Sequence, residues 1–289
     1  MTEIQQYLAP TTVEQAVECL QQVGEVTILA GGTDLMPQKN AGRLKPQRTL
    51  MNIRGIAELR GIAQSAGELH IGALATIAEL LDDPRVQRHL PALAEACDHF
   101  ASDQIRNVAT LGGNICNASP AGDTLVPLLV FDARVDLVSR LDDKLFKRSI
   151  PIGEFFIGPG KTRRSPGELV AGVSIPLPPE NHLSRFFKFG ARPALDIATI
   201  SIGFGAMLQD GVLSKVHVAF GAVAATPVRA FHTEAALEGK RLDAATIAAA
   251  ASIARDEVTP IDDVRGSAWY RKEMIHNMTK RILDHVADA

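Results

Sequence analysis

At 289 residues, with 46% hydrophobic and 22% charged residues, the chain has ordinary globular composition and is long enough for two packed domains. Its formal charge of −3 gives no electrostatic reason to expect a nucleic acid or an anionic membrane as partner. No apolar run reaches the roughly 18 residues of a membrane span, and Met1-Thr2-Glu3-Ile4-Gln5-Gln6 lacks the basic and apolar regions of a signal peptide, so the expected location is cytoplasmic.

From the N-terminus, Thr12 is placed to cap a helix whose apolar positions Val13, Ala16, Val17 and Leu20 follow helical spacing. Residues 26–30 read as a buried strand, 42–46 as a turn and 49–53 as a second strand. Residues 69–74 alternate like a half-buried strand, and Thr76 is the next cap. Pro84 opens a helix expected to continue through Leu90, Leu93 and Ala94 toward Phe100. Residues 125–131 read as helix, and 134–140, 144–150 and 169–175 as strands, before Pro176-Leu177-Pro178-Pro179 interrupts regular structure. Beyond it come three long strands, 184–191, 197–208 and 212–223, with Gly211 turning the second pair. Helices at 229–237, 244–256 and 269–286 follow, so a sheet carrying a helical layer is expected.

Two glycine pairs interrupt this pattern. One lies in Ile28-Leu29-Ala30-Gly31-Gly32-Thr33-Asp34-Leu35 and the other in Thr110-Leu111-Gly112-Gly113-Asn114-Ile115-Cys116-Asn117-Ala118-Ser119. Paired glycines can take positive φ and let successive N–H groups converge on phosphate oxygens with no Cβ in the way. Two such turns could hold one pyrophosphate between them, with Thr33, Asp34, Asn114 and Ser119 adding side-chain hydrogen bonds. Neither pair fits G-x-G-x-x-G or the P-loop pattern, so a different dinucleotide fold is implied. The plain alternative for Asp34 and Asp123 is helix capping, for Phe100 a place in the core, and for the segment from Lys188 to Asp196 a solvated hairpin. Arg163-Arg164 and the basic run Lys144, Lys147 and Arg148 read as solvated faces. Three cysteines, Cys19, Cys97 and Cys116, are too few and too scattered for a disulfide framework or zinc site, and an iron–sulfur cluster takes about four. The eight histidines show no zinc-protease spacing.

The stretch Gln104-Ile105-Arg106-Asn107-Val108-Ala109-Thr110-Leu111-Gly112-Gly113-Asn114-Ile115-Cys116-Asn117, with Tyr7-Leu8-Ala9-Pro10 and the first glycine loop, resembles the FAD-binding subunit of the molybdenum hydroxylases, the xanthine dehydrogenase and carbon monoxide dehydrogenase family. Gly158-Pro159-Gly160-Lys161 and Trp269-Tyr270-Arg271-Lys272-Glu273 are similar to the separate flavin subunit of bacterial xanthine dehydrogenases. The resemblance implies an α+β fold. A PCMH/VAO-type FAD-binding domain would occupy residues 1–177, as two α/β subdomains of about 1–57 and 58–177. A C-terminal domain like that of the CO dehydrogenase flavoprotein, a three-stranded antiparallel sheet with helices, would occupy 183–287.

The same resemblance implies an oxidoreductase subunit that transfers electrons. They would come from 2Fe-2S clusters on a small partner subunit, pass through one noncovalent FAD, and leave to NAD or another acceptor. A large partner would carry the molybdenum cofactor, in a hetero-oligomer such as a dimer of heterotrimers, with a xanthine dehydrogenase-type complex favoured. The alternatives are the FAD subunit of another N-heteroaromatic, aldehyde or CO dehydrogenase, or a self-sufficient flavin oxidase. Residue by residue, the resemblance gives Asp123 ribityl or ribose hydroxyls and sets Phe100 beside adenine. It packs Ile115 and Val170 on the flavin ring and brings the loop that follows Lys188 close to that ring, where Lys188 would tune its potential.

Overall fold

The computed structural model describes residues 4–142, 144–192 and 194–287. Residues 1–3 of the expected N-terminal reading, and Pro193 of the expected bend, lie outside them.

The N-terminal unit is a three-stranded parallel sheet in which Thr49–Asn52 lies between Gln6–Leu8 and Thr27–Leu29. Parallel neighbours need crossovers, which the helices Val13–Val23 and Leu35–Asn40 supply. Thr12 Oγ1 accepts from Gln15 N at 3.1 Å, and the helix buries Ala16, Val17 and Leu20, as the spacing predicts. They pack with Met51, Ile53 and Ile56.

A five-stranded antiparallel sheet follows, ordered Ile62–Ser65, Glu68–Gly72, Leu169–Pro176, Arg134–Leu141 and Lys144–Pro151. The largest apolar cluster lies against it and includes Leu69, Ile71, Leu80, Leu93, Ile115 and Val173. The helix expected from Pro84 toward Phe100 is two helices, Pro84–His89 and Pro91–Asp98. Pro91 donates no N–H and pushes Leu90 out of helical geometry, to φ −130° and ψ 53°, so the ladder restarts. Upstream, Thr76 forms a capping box with Glu79: its hydroxyl accepts from Glu79 N at 3.2 Å while Glu79 Oε2 accepts from Thr76 N at 2.7 Å. Thr76→Ala is expected to cost ~1 kcal/mol, measured as a lowered midpoint in denaturant.

The C-terminal sheet is antiparallel. To the three expected strands, observed at His182–Phe189, Ile200–Gln209 and Val212–Gly221, the structure adds a short fourth, Val228–Arg229. Asp210 and Gly211 turn the long hairpin with φ of 51° and 77°, both left-handed as the two-residue hairpin turn of matching twist requires. The helices Phe231–Leu237, Ala244–Glu257 and Ala268–Ala287 cover one face.

The fully buried helix Leu125–Val130 packs on the other face and joins this sheet to the rest. Gly203 and Gly205 make room for it: a Cβ on them would lie 2.9 Å from Val126 Cγ1 and 2.7 Å from Val130 Cγ1. Its last carbonyls receive cationic or ring donors from the sheet. Arg229 donates to Leu129 O at 3.2 Å, and His217 Nδ1 lies 2.6 Å from Val130 O, the charge placement that a helix C-terminus favours. Among the described residues no helix is long and apolar enough to cross a membrane.

Candidate functional site

A cavity of about 360 Å3 opens between the turn after Thr27–Leu29, the helix Leu111–Asn117 and the connection into Leu169–Pro176. The two glycine pairs meet at its wall. A Cβ on Gly31 would overlap the Val108 carbonyl oxygen, so glycine there lets the first turn lie against the backbone leading into the second motif. Gly32 has φ 77°, outside the range an L side chain takes readily. The N–H groups of Gly32, Thr33, Asp34 and Leu35 find no acceptor among the described residues. A row of free amides at a strand-to-helix turn is an anion site.

The second pair behaves differently from the expected loop. Gly112 and Gly113 lie in the first turn of the helix Leu111–Asn117, and neither has positive φ. Their amides are occupied: Gly112 N donates to Ala73 O at 2.9 Å and Gly113 N to Thr110 Oγ1 at 3.1 Å, while Asn114 N donates to Thr110 O at 3.0 Å. Thr110 is therefore the helix cap. Gly112 is small because Ala73 lies against it, its would-be Cβ falling 2.7 Å from Ala73 Cβ. Gly113 is exposed on the cavity wall. One turn thus offers main-chain donors, and the other offers a smooth surface.

Of the remaining expected residues, Ile28, Ala30, Thr33, Asp34, Leu35, Phe100, Asn114, Asn117 and Val170 also line the cavity. Asp34 stands at the start of Leu35–Asn40 but makes no capping bond. Gln38 Nε2 instead donates to Asp34 Oδ2 and, at 3.3 Å, to Asn117 Oδ1, tying the first turn to the helix Leu111–Asn117. Asn114 Oδ1 accepts from Thr124 Oγ1 at 2.7 Å.

Leu29, Ile115, Ser119, Asp123 and Lys188 are not on the cavity wall. Ile115 is fully buried in the core, on the helix face it shares with Leu111 and away from the face that carries the exposed Gly113 and Cys116. Ser119 Oγ accepts from Ala121 N at 3.2 Å, closing a local turn. Asp123 is no helix cap, since Thr124 holds that position. Its Oδ2 pairs with Lys188 Nζ at 2.7 Å, the two side chains 9% and 8% exposed, while its Oδ1 is buried with no partner among the described residues. Lys188 also donates to His99 O at 3.1 Å. Burial pushes the Asp123 carboxyl up to about 6, with Lys188 pulling the other way. Lys188 thus lies within the strand His182–Phe189, buried rather than on a solvated bend. Arg192 and Asp196 are on the bend and pair with each other, Arg192 N donating to Asp196 Oδ2 at 3.1 Å. They face a second cavity of about 440 Å3 shared with Lys188, His99, Asp103 and Arg106.

Gln38, Cys116, Arg164 and Leu169 line the first cavity although residue pattern did not single them out as ligands. Cys116 was legible in principle: reading 111–117 as helix puts Gly112, Gly113 and Cys116 on one face. Arg164 faces the cavity rather than bulk solvent, and nothing local in the sequence announces it.

Two family models match the chain, the FAD binding domain in molybdopterin dehydrogenase over residues 2–178 and the CO dehydrogenase flavoprotein C-terminal domain over 185–286. The chain belongs to the FAD-binding subunits of the molybdenum hydroxylases. Within that family it is 35% identical to the xanthine dehydrogenase FAD-binding subunit of Escherichia coli, over 100% of this chain and 98% of that one. It is 32% identical to the nicotinate dehydrogenase FAD-subunit of Eubacterium barkeri, over 98% of this chain and 96% of that one. Among solved structures, a carbon monoxide dehydrogenase chain from Hydrogenophaga pseudoflava superposes with a TM-score of 0.91 at 32% identity, covering 97% and 96% of the two chains. The family's cofactor is FAD, and the cavity fits it. Free amides suit a diphosphate, and the apolar wall of Ile28, Leu169 and Val170 suits aromatic rings.

Proposed function

We propose that this chain is the electron-transfer subunit of a xanthine dehydrogenase-type complex, receiving electrons from 2Fe-2S clusters of a small partner while a large partner holds the molybdenum cofactor. NAD or another acceptor would take the electrons on, in a cytoplasmic hetero-oligomer. The carrying observation is the row of free amides from Gly32 to Leu35 on the wall of a cavity shared with the helix Leu111–Asn117. When bound, FAD supplies a group that accepts and releases electrons singly or in pairs. The chain's own part is to bind and orient it. The Gly32–Leu35 amides hold the diphosphate, Gly113 leaves room on the facing wall, and Ile28 and Val170 exclude water from the rings. Asp123 and Lys188 act behind the wall, fixing the C-terminal sheet to the FAD-binding part. The chain divides, on this reading, at residues 177–183.

Identity favours a purine-type substrate for the assembled complex only slightly, since 35% to the xanthine subunit stands beside 32% to the nicotinate subunit. Acid precipitation of the purified chain should release FAD into the supernatant at one per chain. Flavin left in the pellet, or FMN released instead, would refute noncovalent FAD. Combined with its iron–sulfur and molybdenum partners, the chain should restore xanthine-driven reduction of NAD. Turnover driven by nicotinate and not by xanthine would move the complex to another branch of the family. Substrate oxidation by the chain alone would favour a self-sufficient flavin oxidase.

A further inference from the structure

The two walls of the FAD cavity are held in different ways. The helix Leu111–Asn117 buries Leu111, Gly112 and Ile115, so core packing fixes it. The facing wall is the turn at Gly31 and Gly32 with the helix Leu35–Asn40 that follows, and that helix buries none of its residues. Gly31 lies against the Val108 carbonyl, but among the described residues only one hydrogen bond joins the segment 31–44 to the segment 100–118: Gln38 Nε2 donates to Asn117 Oδ1 at 3.3 Å. Both side chains are half-buried and line the cavity.

Asp34 aims that amide. A carboxylate at the position before a helix ordinarily accepts from the N–H groups two and three residues on, but Met36 N donates to Gly32 O at 3.1 Å and Pro37 has no N–H. The carboxylate is left for Gln38, one helical turn away, whose Nε2 donates to Asp34 Oδ2. A charge-assisted bond of this kind is stronger than a neutral one, so it fixes the rotamer from which Gln38 reaches Asn117. The main chain at Gln38 is fixed as well, its carbonyl accepting from Arg43 N at 2.9 Å and Leu44 N at 3.3 Å.

We infer that Gln38 is the latch of the FAD cavity, a positioning residue that holds the first glycine turn to the helix Leu111–Asn117 and slows the release of FAD. The inference rests on the FAD reading above and deepens it. A cofactor enclosed between two walls leaves when they part, and a bond made only while they are together favours the closed form. Gln38→Met keeps the length of the side chain and removes both donations, so FAD release should be about tenfold faster, the effect of losing one charge-assisted and one neutral hydrogen bond. Because the helix Leu35–Asn40 buries nothing, the thermal midpoint of the FAD-free chain should stay unchanged. Gln38→Glu sets a carboxylate against that of Asp34 and should also speed release at pH 8. Adding Asp34→Asn turns the pair round, donor for acceptor, at the wild-type net charge. With the Asn117 amide rotated to present its N–H, the latch re-forms and release slows again.

The experiment follows FAD fluorescence as the full-length chain and the three variants release the cofactor at pH 8, with thermal unfolding of each FAD-free chain. Faster release from Gln38→Met at an unchanged thermal midpoint, with recovery in the exchanged pair, supports the inference. Wild-type release from Gln38→Met overturns it. A loss that the exchanged pair leaves unrepaired also overturns it and assigns Gln38 to direct contact with FAD or to local structure, as does a thermal midpoint lowered in step with the loss. Failure of the wild-type chain to bind FAD at all would instead refute the function proposed above.

Discussion

Gly31→Ala is expected to lose both stability and flavin. The added Cβ would overlap the Val108 carbonyl oxygen, a main-chain atom that moves only if the segment leading into the helix Leu111–Asn117 moves with it. Overpacking against backbone falls at the upper end of the usual range, ~3 kcal/mol, and any relief separates the two motifs that share the cavity. Thermal unfolding should therefore shift down, and the purified variant should carry little FAD. Gly113→Ala provides the contrast. Its Cβ meets only Thr110 Oγ1, at 2.8 Å, so weakening that cap costs ~1 kcal/mol, while alanine's advantage over glycine inside a helix returns about as much. This variant should keep wild-type stability and bind FAD less tightly, because the new methyl stands on the exposed wall. Full flavin affinity in stable Gly113→Ala protein would remove that helix face from the cofactor site.

Lys188→Ala is expected to destabilise the chain by ~3–5 kcal/mol, because removing one partner of a buried pair leaves the other charge uncompensated. Asp123 Oδ1 already lacks a partner among the described residues, so the carboxylate would have none there on either oxygen. The loss should depend on pH. With its pKa raised from 3.8 to about 6, Asp123 binds its proton more tightly in the folded chain. Its contribution to stability is then greatest below 3.8 and declines as pH rises to about 6, by ~3 kcal/mol at most. Without Lys188 the folded-state value rises further, and the decline extends to higher pH. Denaturation at pH 5 and pH 8 checks this: the variant's deficit should be larger at pH 8. A deficit independent of pH would show that Asp123 is not the group left stranded. The double replacement Asp123→Asn with Lys188→Met should recover most of the loss, since it removes both charges together.

Much of the fold could be read from local pattern. The helix Val13–Val23 has a cap and an apolar stripe in register, and the hairpin at Asp210-Gly211 has turn residues that tolerate left-handed φ. The break at Pro91 was equally visible as chemistry, but the continuous apolar spacing through Leu90, Leu93 and Ala94 concealed it. The fourth C-terminal strand, Val228–Arg229, is two residues long and has no periodicity to detect. It exists because the strand Val212–Gly221 has an edge to pair: Ala219 and Phe220 take Arg229 and Val228 as partners.

The sequence by itself determined where glycine stands, and hence marked two distant segments as candidates for one dinucleotide site, because absence of a Cβ is a property of the residue. Only the tertiary structure decided what each absence is for. Gly31 admits the Val108 carbonyl, Gly32 takes a left-handed φ, Gly112 fits against Ala73, and Gly113 leaves the wall smooth. Whether an amide is free depends on which acceptors the rest of the chain brings to it, so only folding distinguishes the open donors after Gly31 from the occupied amides of Gly112 and Gly113. The same holds for charge. Lys188 and Arg164 are both cations in the sequence, but packing pairs one with Asp123 and holds the other, with no carboxylate partner among the described residues, at the first cavity, because pairing is set by distances across the fold rather than along the chain.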